Sequence, residues 1–458
     1  MKGVYYMLKS LRKTLVVIGA GPKGIATAVK AKVLEEFGLP VDRVILIERH
    51  NVAANWSGEF GYTNGEMKLG TSPEKDVVFP LETDINDKHL NQRIKQRLLQ
   101  FTWMSFLVQT GRFSDWVDRG RPAPCHLFWT DYLRWVSAQL EPQVSIISAE
   151  VTAIGLNASR SSWELNLKNT DGEPYVYTLE ADRLMLTGPG KTRMDFLKNG
   201  KIPNHAYDLE SFWAAIKNKK FEAKGRIAII GAGENAASAL LAISQYAPNL
   251  RVDIISPKGF ISTRAESYYE NQIYSQPERN QWTNLELKDR IDFIERTDLG
   301  VFSTHAMNIL NEQLRHQIIP GRVENIIENP DHLSLEISYA GIKSMRDYDQ
   351  VILASGFDQM STLKKFLTAD ALKHLERALG EPLTQSKIAA SIQPDLSVGG
   401  LAPTLHLPML AGLMQGPGFA NLSCLGRLSD RIVTLPTLEK MKTTGPETHR
   451  LTLMDGVL

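Results

Sequence analysis

The chain has 458 residues, of which 43% are hydrophobic and 22% are charged, and its formal net charge is +1. This length allows about two or three domains with a large core, and the near-neutral charge excludes a general attraction to nucleic acid or acidic membranes. The two cysteines, Cys125 and Cys424, exclude a disulfide framework and a thiolate metal site. No export signal and no apolar run of membrane-spanning length is recognised, so a cytoplasmic protein is expected.

The first informative element is a glycine-rich turn that follows the apolar run 15–18. The turn contains Gly19, Gly21 and Gly24. A strand, such a turn and a small-residue helix are typical of dinucleotide-binding folds, in which a pyrophosphate lies on the helix N-terminus. The next strand, 43–47, ends in Glu48, whose carboxylate would accept hydrogen bonds from a ribose; the alternative is a solvated surface carboxylate. FAD is therefore expected at this turn.

A second turn of the same kind follows the apolar run 227–230. It contains Gly231 and Gly233, with Ala236 in the place of the third glycine. The strand after it, 252–255, ends in Ser256 rather than a carboxylate, and Lys258 and Arg264 follow. A cation there suits the 2′-phosphate of NADPH, although Lys258 could equally be an ordinary surface lysine. Two such turns together predict a flavoenzyme that is reduced by NADPH.

Strands alternate with helical patterns along the rest of the chain. This order predicts an α/β protein with two Rossmann-like dinucleotide-binding domains and a smaller helical substrate-binding region. We assign residues 1–205 to the first part of the FAD domain, 222–350 to the NADPH domain, 351–433 to the second part of the FAD domain and 434–458 to a loose C-terminal tail. We interpret the lysine-rich stretch at about 200–222 as a linker and residues 284–318 as the helical substrate insertion.

Several segments carry a family resemblance. Residues 349–357 are similar to a D…LATGY signature, with Ser355 for threonine and Phe357 for tyrosine, and residues 130–135 are similar to a helix motif. Both belong to the N-hydroxylating flavoprotein monooxygenases of siderophore biosynthesis, which the chain resembles from roughly residue 15 to 433. The mycobactin-type lysine N6-hydroxylases are the most similar group in the segments 54–56, 69–76, 119–124, 415–419 and 421–426. At 67–68 the chain has Met-Lys, where ornithine and aerobactin-type lysine hydroxylases have Met-Gln.

The resemblance implies an activity and a set of partners. In this family NADPH reduces FAD, O2 adds to give a C4a-hydroperoxyflavin, and a primary amine attacks its distal oxygen, so no metal is expected. L-lysine is the first choice of substrate and L-ornithine the second, while a decarboxylated amine (histamine, putrescine or cadaverine) stays open. The resemblance also implies a homo-oligomer, either a dimer or a tetramer.

The resemblance also assigns substrate-binding residues. Asn271 matches the asparagine that contacts substrate and NADPH, and Lys75 matches the lysine that pairs with the substrate α-carboxylate; these two are the catalytic candidates. Asp298 stands where ornithine hydroxylases have an asparagine and could meet an α-ammonium group, and Ser423 matches a serine near substrate and flavin. Without the resemblance, Asn271 would be read as a turn residue and Lys75 as a surface lysine.

Two further positions are assigned to the cofactor. Trp56 is expected at the flavin edge or in the core, and Gly356, in the signature, beside the flavin. His50 and His126 are interpreted as structural. Two other classes remain possible at this point: a flavin reductase without oxygenase activity, which a Cys-x-x-Cys pair would have favoured, and a scaffold that has lost catalysis, which the intact glycine turns argue against.

Overall fold

The computed structural model describes residues 12–443 apart from 174, 198–199, 222–224, 248 and 312–315. The strands are β1 Thr14–Ile18, β2 Arg43–Glu48, β3 Ser145–Leu156, β4 Trp163–Asn169, β5 Val176–Ala181, β6 Arg183–Leu186, β7 Lys191–Thr192, β8 Ala206–Asp208, β9 Arg226–Ile230, β10 Arg251–Ser256, β11 Ser262–Thr263, β12 Val301–Phe302, β13 His316–Pro320, β14 Arg322–Glu328, β15 Leu333–Tyr339, β16 Ile342–Tyr348, β17 Gln350–Leu353, β18 Phe357–Asp358 and β19 Thr404–His406. The α-helices are α1 Pro22–Glu36, α2 Lys88–Leu99, α3 Trp103–Gln109, α4 Phe113–Asp118, α5 His126–Ser137, α6 Leu209–Lys217, α7 Glu234–Tyr246, α8 Tyr268–Ser275, α9 Leu287–Thr297, α10 Thr304–Asn311, α11 Gln359–Phe366, α12 Ala369–Leu379, α13 Gln385–Ser391, α14 Gly412–Gln415 and α15 Leu425–Thr443.

The first unit is built on a seven-stranded sheet in the order β19-β6-β1-β2-β3-β4-β5. The strands from β19 to β3 are parallel, and β4 and β5 extend the sheet in antiparallel fashion. Strand β1 is central and its residues 15–17 are buried, as expected for a parallel strand covered on both faces. Helix α1 follows it and is itself almost entirely buried. The strand–turn–helix predicted around Gly19 is therefore confirmed.

The second unit, residues 206–353, is built on a parallel five-stranded sheet in the order β13-β10-β9-β17-β8. Alternate residues of β9 face opposite sides of this sheet. Ile227 and Ile229 pack with helices α6, α7 and α10, whereas Ala228 and Ile230 pack against the antiparallel strands β14–β16. The second strand–turn–helix and the two-unit α/β architecture are thus also confirmed.

The stretch interpreted as a linker at about 200–222 is instead largely structured. Strand β8 pairs with β17, and α6 buries Leu209, Phe212, Trp213 and Ile216. These positions follow the spacing of three and four of an amphipathic helix, which the surrounding lysines concealed. The linker interpretation is therefore wrong, and the second unit begins before residue 222.

Three other boundaries also move. Strand β17 pairs with β9, so residues 350–353 lie in the second sheet and not in the returning part of the first unit. The insertion at 284–318 is helical in α9 and α10, but residues 316–318 belong to strand β13, which pairs with β10. Helix α15 continues to Thr443, so the tail is helical over 434–443, while 444–458 lie outside the described residues. In the first two cases pairing with a distant strand determines the boundary.

The chain passes between the two units at two adjacent places. Strand β7, where it leaves the first unit, pairs antiparallel with β18, where it returns. The Arg193 N–H donates to the Gly356 carbonyl at 2.8 Å beside this pair. The two connections therefore form one short ribbon.

The segment 69–80 is fixed by an aromatic cluster of the first unit. Trp103 contacts the rings of Trp129 and Tyr132 at 5.8 and 5.7 Å between centroids. The buried Asp76 carboxylate accepts hydrogen bonds from Trp103 N at 2.8 Å and Val78 N at 3.1 Å, and burial raises the pKa of this carboxyl group to about 7. These contacts hold the neighbouring Lys75 in place.

None of the helices within the described residues is long and apolar enough to cross a membrane.

Candidate active site

A cavity of about 570 Å³ lies between the two units. It is in the size range typical of cofactor and small-molecule sites. Its wall includes Gly19, Gly21 and Glu48 from the first unit and Glu234, Asn235 and Ser238 from the second. We refer to it as the central cavity.

The three glycines of the first turn have three different roles. Gly19 has φ +106°, and a Cβ there would lie 2.3 Å from Thr187 Oγ1. A Cβ on Gly24 would lie 2.2 Å from the Gly19 carbonyl oxygen, so this glycine allows helix and strand to pack closely. A Cβ on Gly21 would meet nothing within 4 Å, and Gly21 lines the central cavity at the start of α1. A pyrophosphate could therefore approach the backbone at Gly21, as FAD requires.

Glu48 is held beside this turn. Its carboxylate accepts hydrogen bonds from the backbone of Ala20 at 3.0 Å and of His50 at 3.1 Å, and it lines the central cavity. A carboxylate has about four acceptor positions, so it can still accept from a ribose hydroxyl. The residues present at the first turn fit FAD.

The second turn repeats this geometry. Gly231 has φ +119°, and a Cβ there would lie 2.2 Å from the Ala354 carbonyl oxygen, whereas a Cβ on Gly233 would meet nothing within 4 Å. Glu234, in the first turn of α7, accepts hydrogen bonds from Ser303 N at 2.7 Å and Ser303 Oγ at 2.8 Å. Ser303 thus holds the Glu234 carboxylate, and the backbone at Gly233 is open where a second dinucleotide is expected.

Ser256 and Lys258 lie at the end of β10, as expected. The buried Ser256 accepts backbone hydrogen bonds from Gly259 at 3.0 Å and Gly321 at 2.9 Å. Lys258 is exposed, and its amine donates to the Glu295 carbonyl at 2.9 Å. Their contact with the 2′-phosphate of NADPH stays a prediction.

Lys75 and Asn271, although 196 residues apart, are brought into direct contact. The Lys75 amine donates a short hydrogen bond to Asn271 Oδ1, and Asn271 Nδ2 donates to the Glu266 carbonyl at 2.8 Å. A capping box of Ser267 and Glu270 starts the helix that presents Asn271. Burial lowers the pKa of the Lys75 amine, and the nearby Arg264 guanidinium lowers it further.

Asp298 and Ser423 are connected through a residue that the sequence reading did not single out. Asp298 lies at the C-terminal end of α9 and pairs with Arg264 at 3.2 Å. Asn421 Nδ2 donates to the other Asp298 oxygen at 3.4 Å, while Asn421 Oδ1 accepts from Ser423 N at 2.9 Å. Arg264, which we expected near a phosphate, therefore lies in the central cavity beside the acidic substrate-site candidate.

Trp56 is a wall residue of the central cavity. Its ring lies 4.8 Å from that of His126 in an edge-to-face contact. Burial lowers the pKa of His126 to about 4, and its Nδ1 lies 2.8 Å from Thr63 Oγ1, so the imidazole is neutral at physiological pH. Gly356 has φ +88° and lies next to Phe357, which also lines the cavity. Contact of Trp56 and Gly356 with FAD stays a prediction.

Lys23 is a further cavity residue that sequence reasoning missed. It is in the first turn of α1 and is 7% exposed, and its amine donates to the carbonyls of Ala420 at 3.0 Å and Asn421 at 3.2 Å. Burial lowers the pKa of this amine to about 8, although the Asp298 carboxylate opposes the shift. The available signal was a lysine in the first turn of a helix, where a cation is unfavourable.

Within the described ranges, no three His, Cys, Asp or Glu side chains are grouped in a way that could hold a metal ion.

Comparisons with known proteins give a consistent result. A family model described as L-lysine 6-monooxygenase/L-ornithine 5-monooxygenase matches residues 97–359. The L-lysine N6-monooxygenase MbtG of Mycobacterium sp. (strain MCS) is 39% identical over 92% of this chain and 94% of its own length. The structure of the lysine monooxygenase NbtG from Nocardia farcinica has a TM-score of 0.79 and 36% identity, covering 92% of this chain and 99% of that one. The ornithine N-hydroxylase KtzI of Kutzneria sp. 744, with a TM-score of 0.72 and 18% identity over 94% of this chain and all of that one, shares the fold.

Proposed function

Because the chain belongs to the L-lysine 6-monooxygenase/L-ornithine 5-monooxygenase family, we propose that it hydroxylates the side-chain amine of L-lysine for a hydroxamate siderophore. It is a flavin-dependent N-hydroxylating monooxygenase that uses FAD and NADPH. Among its structural features, the one that supports an amino-acid substrate best is the Lys75–Asn271 contact near the Arg264–Asp298 pair. Of these four residues, Arg264 lines the central cavity.

The two cofactors are assigned to the two turns. We assign FAD to the turn of Gly19, Gly21 and Gly24, with Glu48 at its ribose and Trp56 at the flavin. NADPH is assigned to the turn of Gly231 and Gly233, with Ser256 and Lys258 at its 2′-phosphate. When bound, the flavin takes electrons from NADPH and activates O2, which is chemistry that side chains alone do not provide. The protein's part is to position the amine and to exclude water.

The head group of an amino acid has one charge of each sign, and the site has partners for both. Lys75 and Arg264 are cations able to bind an α-carboxylate, and Asp298 is an acceptor for an α-ammonium group. All three are at least partly buried, which strengthens their interaction with a bound ion. A decarboxylated amine would leave the two cations without a carboxylate.

The reacting amine must be neutral to act as a nucleophile. A lysine ammonium has a pKa of about 10.4, so only about 0.1% is neutral near pH 7.4. Lowering that pKa by about 3 units corresponds to about 4 kcal/mol of desolvation or hydrogen bonding. Asn271 can position the neutral amine once it has formed, because its Oδ1 can accept a second hydrogen bond while it holds Lys75. An amide acceptor does not fix the amine as an ion pair, as a carboxylate would.

We also place the enzyme in the cytoplasm. Its two cysteines are free, as in most proteins of a reducing compartment, and NADPH and free amino acids are cytoplasmic metabolites. The dimer or tetramer expected from the family resemblance stays a prediction.

The substrate is tested by measuring hydroxylated product. FAD-loaded protein is incubated with NADPH and O2 and with lysine, ornithine, histamine, putrescine or cadaverine in turn. We expect lysine to give the highest kcat/KM, with ornithine second. A higher kcat/KM for one of the three decarboxylated amines would overturn the choice of substrate but keep the chemistry. NADPH consumption without hydroxylated product from any of the amines would indicate a flavin reductase.

A further inference from the structure

The ammonium group of Lys23 occupies an unfavourable place. It lies at the N-terminus of α1, where the helix dipole is positive, and burial removes most of its hydration. Its hydrogen bonds to the Ala420 and Asn421 carbonyls offset part of this cost. Lys23 also lines the central cavity, so a role in that cavity would explain why a buried cation is found at this position.

Both carbonyls belong to one short segment, residues 420–424, which we call the Asn421 loop. It connects a 3-10 turn, Pro417–Phe419, to helix α15. Asn421, Leu422 and Ser423 of this loop line the central cavity. The ammonium of Lys23 therefore joins the helix of the first glycine turn to a loop that carries substrate-site candidates.

The contacts continue from this loop to the proposed head-group site. The Asn421 side chain bonds Ser423 N on one side and Asp298 on the other. Asp298 pairs with Arg264, and Arg264 Nη1 also donates to the Gly70 carbonyl at 3.4 Å. Gly70 is five residues before Lys75, on the segment anchored by Asp76. A continuous set of polar contacts thus links the first glycine turn with the acidic and basic groups of the substrate site.

We propose that Lys23 is a positioning residue for substrate binding: its ammonium fixes the backbone of the Asn421 loop, and thereby the positions of Ser423, Asn421 and Asp298. The inference rests on the proposed function, because it takes as ligand an amine with a zwitterionic head group. It adds to that function a side chain of the first glycine turn whose ammonium bonds the Ala420 and Asn421 carbonyls.

The test replaces Lys23 by methionine, which keeps an unbranched apolar stem and removes the ammonium. Lys32→Met is the matched control, since Lys32 is on the same helix, is also buried, and bonds Gln143 and Glu36 instead of the loop. The dissociation constant of lysine is measured by calorimetry on FAD-loaded protein. Loss of a charged hydrogen-bonding group of this kind corresponds to a roughly 10- to 100-fold increase in the dissociation constant of lysine.

We expect Lys23→Met to retain FAD absorbance, to bind lysine about 10- to 100-fold more weakly, and to release more hydrogen peroxide per NADPH consumed. Lys32→Met should bind lysine as the wild type does, even if its melting temperature falls. Lys23→Arg should recover part of the affinity, because a guanidinium can donate to the same two carbonyls. Wild-type lysine affinity in Lys23→Met would overturn the inference.

A second variant covers the case in which Lys23→Met does not fold or loses FAD. Asn421→Ala removes the side-chain link to Asp298 and leaves the backbone carbonyl that Lys23 bonds. It should also weaken lysine binding with FAD retained, and an unchanged lysine affinity would refute the proposed path. Failure of the wild-type protein itself to bind lysine or any other amino acid would instead count against the proposed function.

Discussion

Replacing Lys75 by alanine should separate amino-acid substrates from their decarboxylated counterparts. Removing one partner of a partly buried charge pair costs about 2–5 kcal/mol, which is roughly thirty- to several-thousand-fold in kcat/KM. Here the loss should be near the lower limit, about thirty- to a hundred-fold, because Arg264 remains as a second cation close to the same position. The effect should appear with lysine and be nearly absent with cadaverine, which has no carboxylate.

The assay compares kcat/KM for lysine and for cadaverine in the wild type, in Lys75→Ala and in Lys88→Ala, a control at an exposed lysine on α2. Flavin reduction by NADPH is followed separately and should be nearly unchanged, since it needs no substrate carboxylate. An equal loss with both amines would refute the reasoning, because Lys75 would then act on the shared side-chain amine or on Asn271 rather than on the carboxylate.

Three further predictions concern the cofactors and the segment next to Lys75. Gly21→Val should abolish FAD binding, because it places a side chain in the open approach to the first turn, and full FAD occupancy in this variant would show that the flavin binds elsewhere. NADPH should give a higher kcat/KM than NADH, and Lys258→Ala should reduce the difference; equal use of both nicotinamides would contradict the assignment at β10. Burial raises the pKa of Asp76 to about 7, so the folded protein holds this proton more tightly than the unfolded chain and loses stability as pH rises from about 4 to about 7. The melting temperature of Asp76→Asn should fall less over this range, and an identical pH profile would exclude Asp76 as the titrating group.

The two glycine turns could be predicted because the information is local. An apolar run, glycines at fixed spacing and a small-residue helix are adjacent in the chain, and the structure confirms the strand–turn–helix at both places, with positive φ at Gly19 and Gly231. The information for helix α6 was also local, because its apolar residues have helical spacing, but the lysines around them concealed the pattern. The information that places β17 is not local, since only its pairing with the distant strand β9 puts residues 350–353 in the second sheet.

The site itself was predicted from the family resemblance and not from spacing. No local pattern brings Lys75 to Asn271, because their contact depends on how the segment 69–80 and helix α8 pack. The Arg264–Asp298 pair and the Asn421 link between Asp298 and Ser423 depend on three separate segments. Lys23 was missed since a lysine in a glycine turn suggests solvent exposure, whereas here the Asn421 loop covers it.

The ribbon of β7 and β18 has a mechanical consequence for the second unit. If the two connections lay far apart, the second unit could both translate and rotate relative to the first. Because they are instead two hydrogen-bonded strands side by side, they resist separation and sliding. Bending across the ribbon is the motion that this strand pair resists least. Because the central cavity has walls from both units, such a bend would change its width, whereas each glycine turn belongs to the sheet of a single unit.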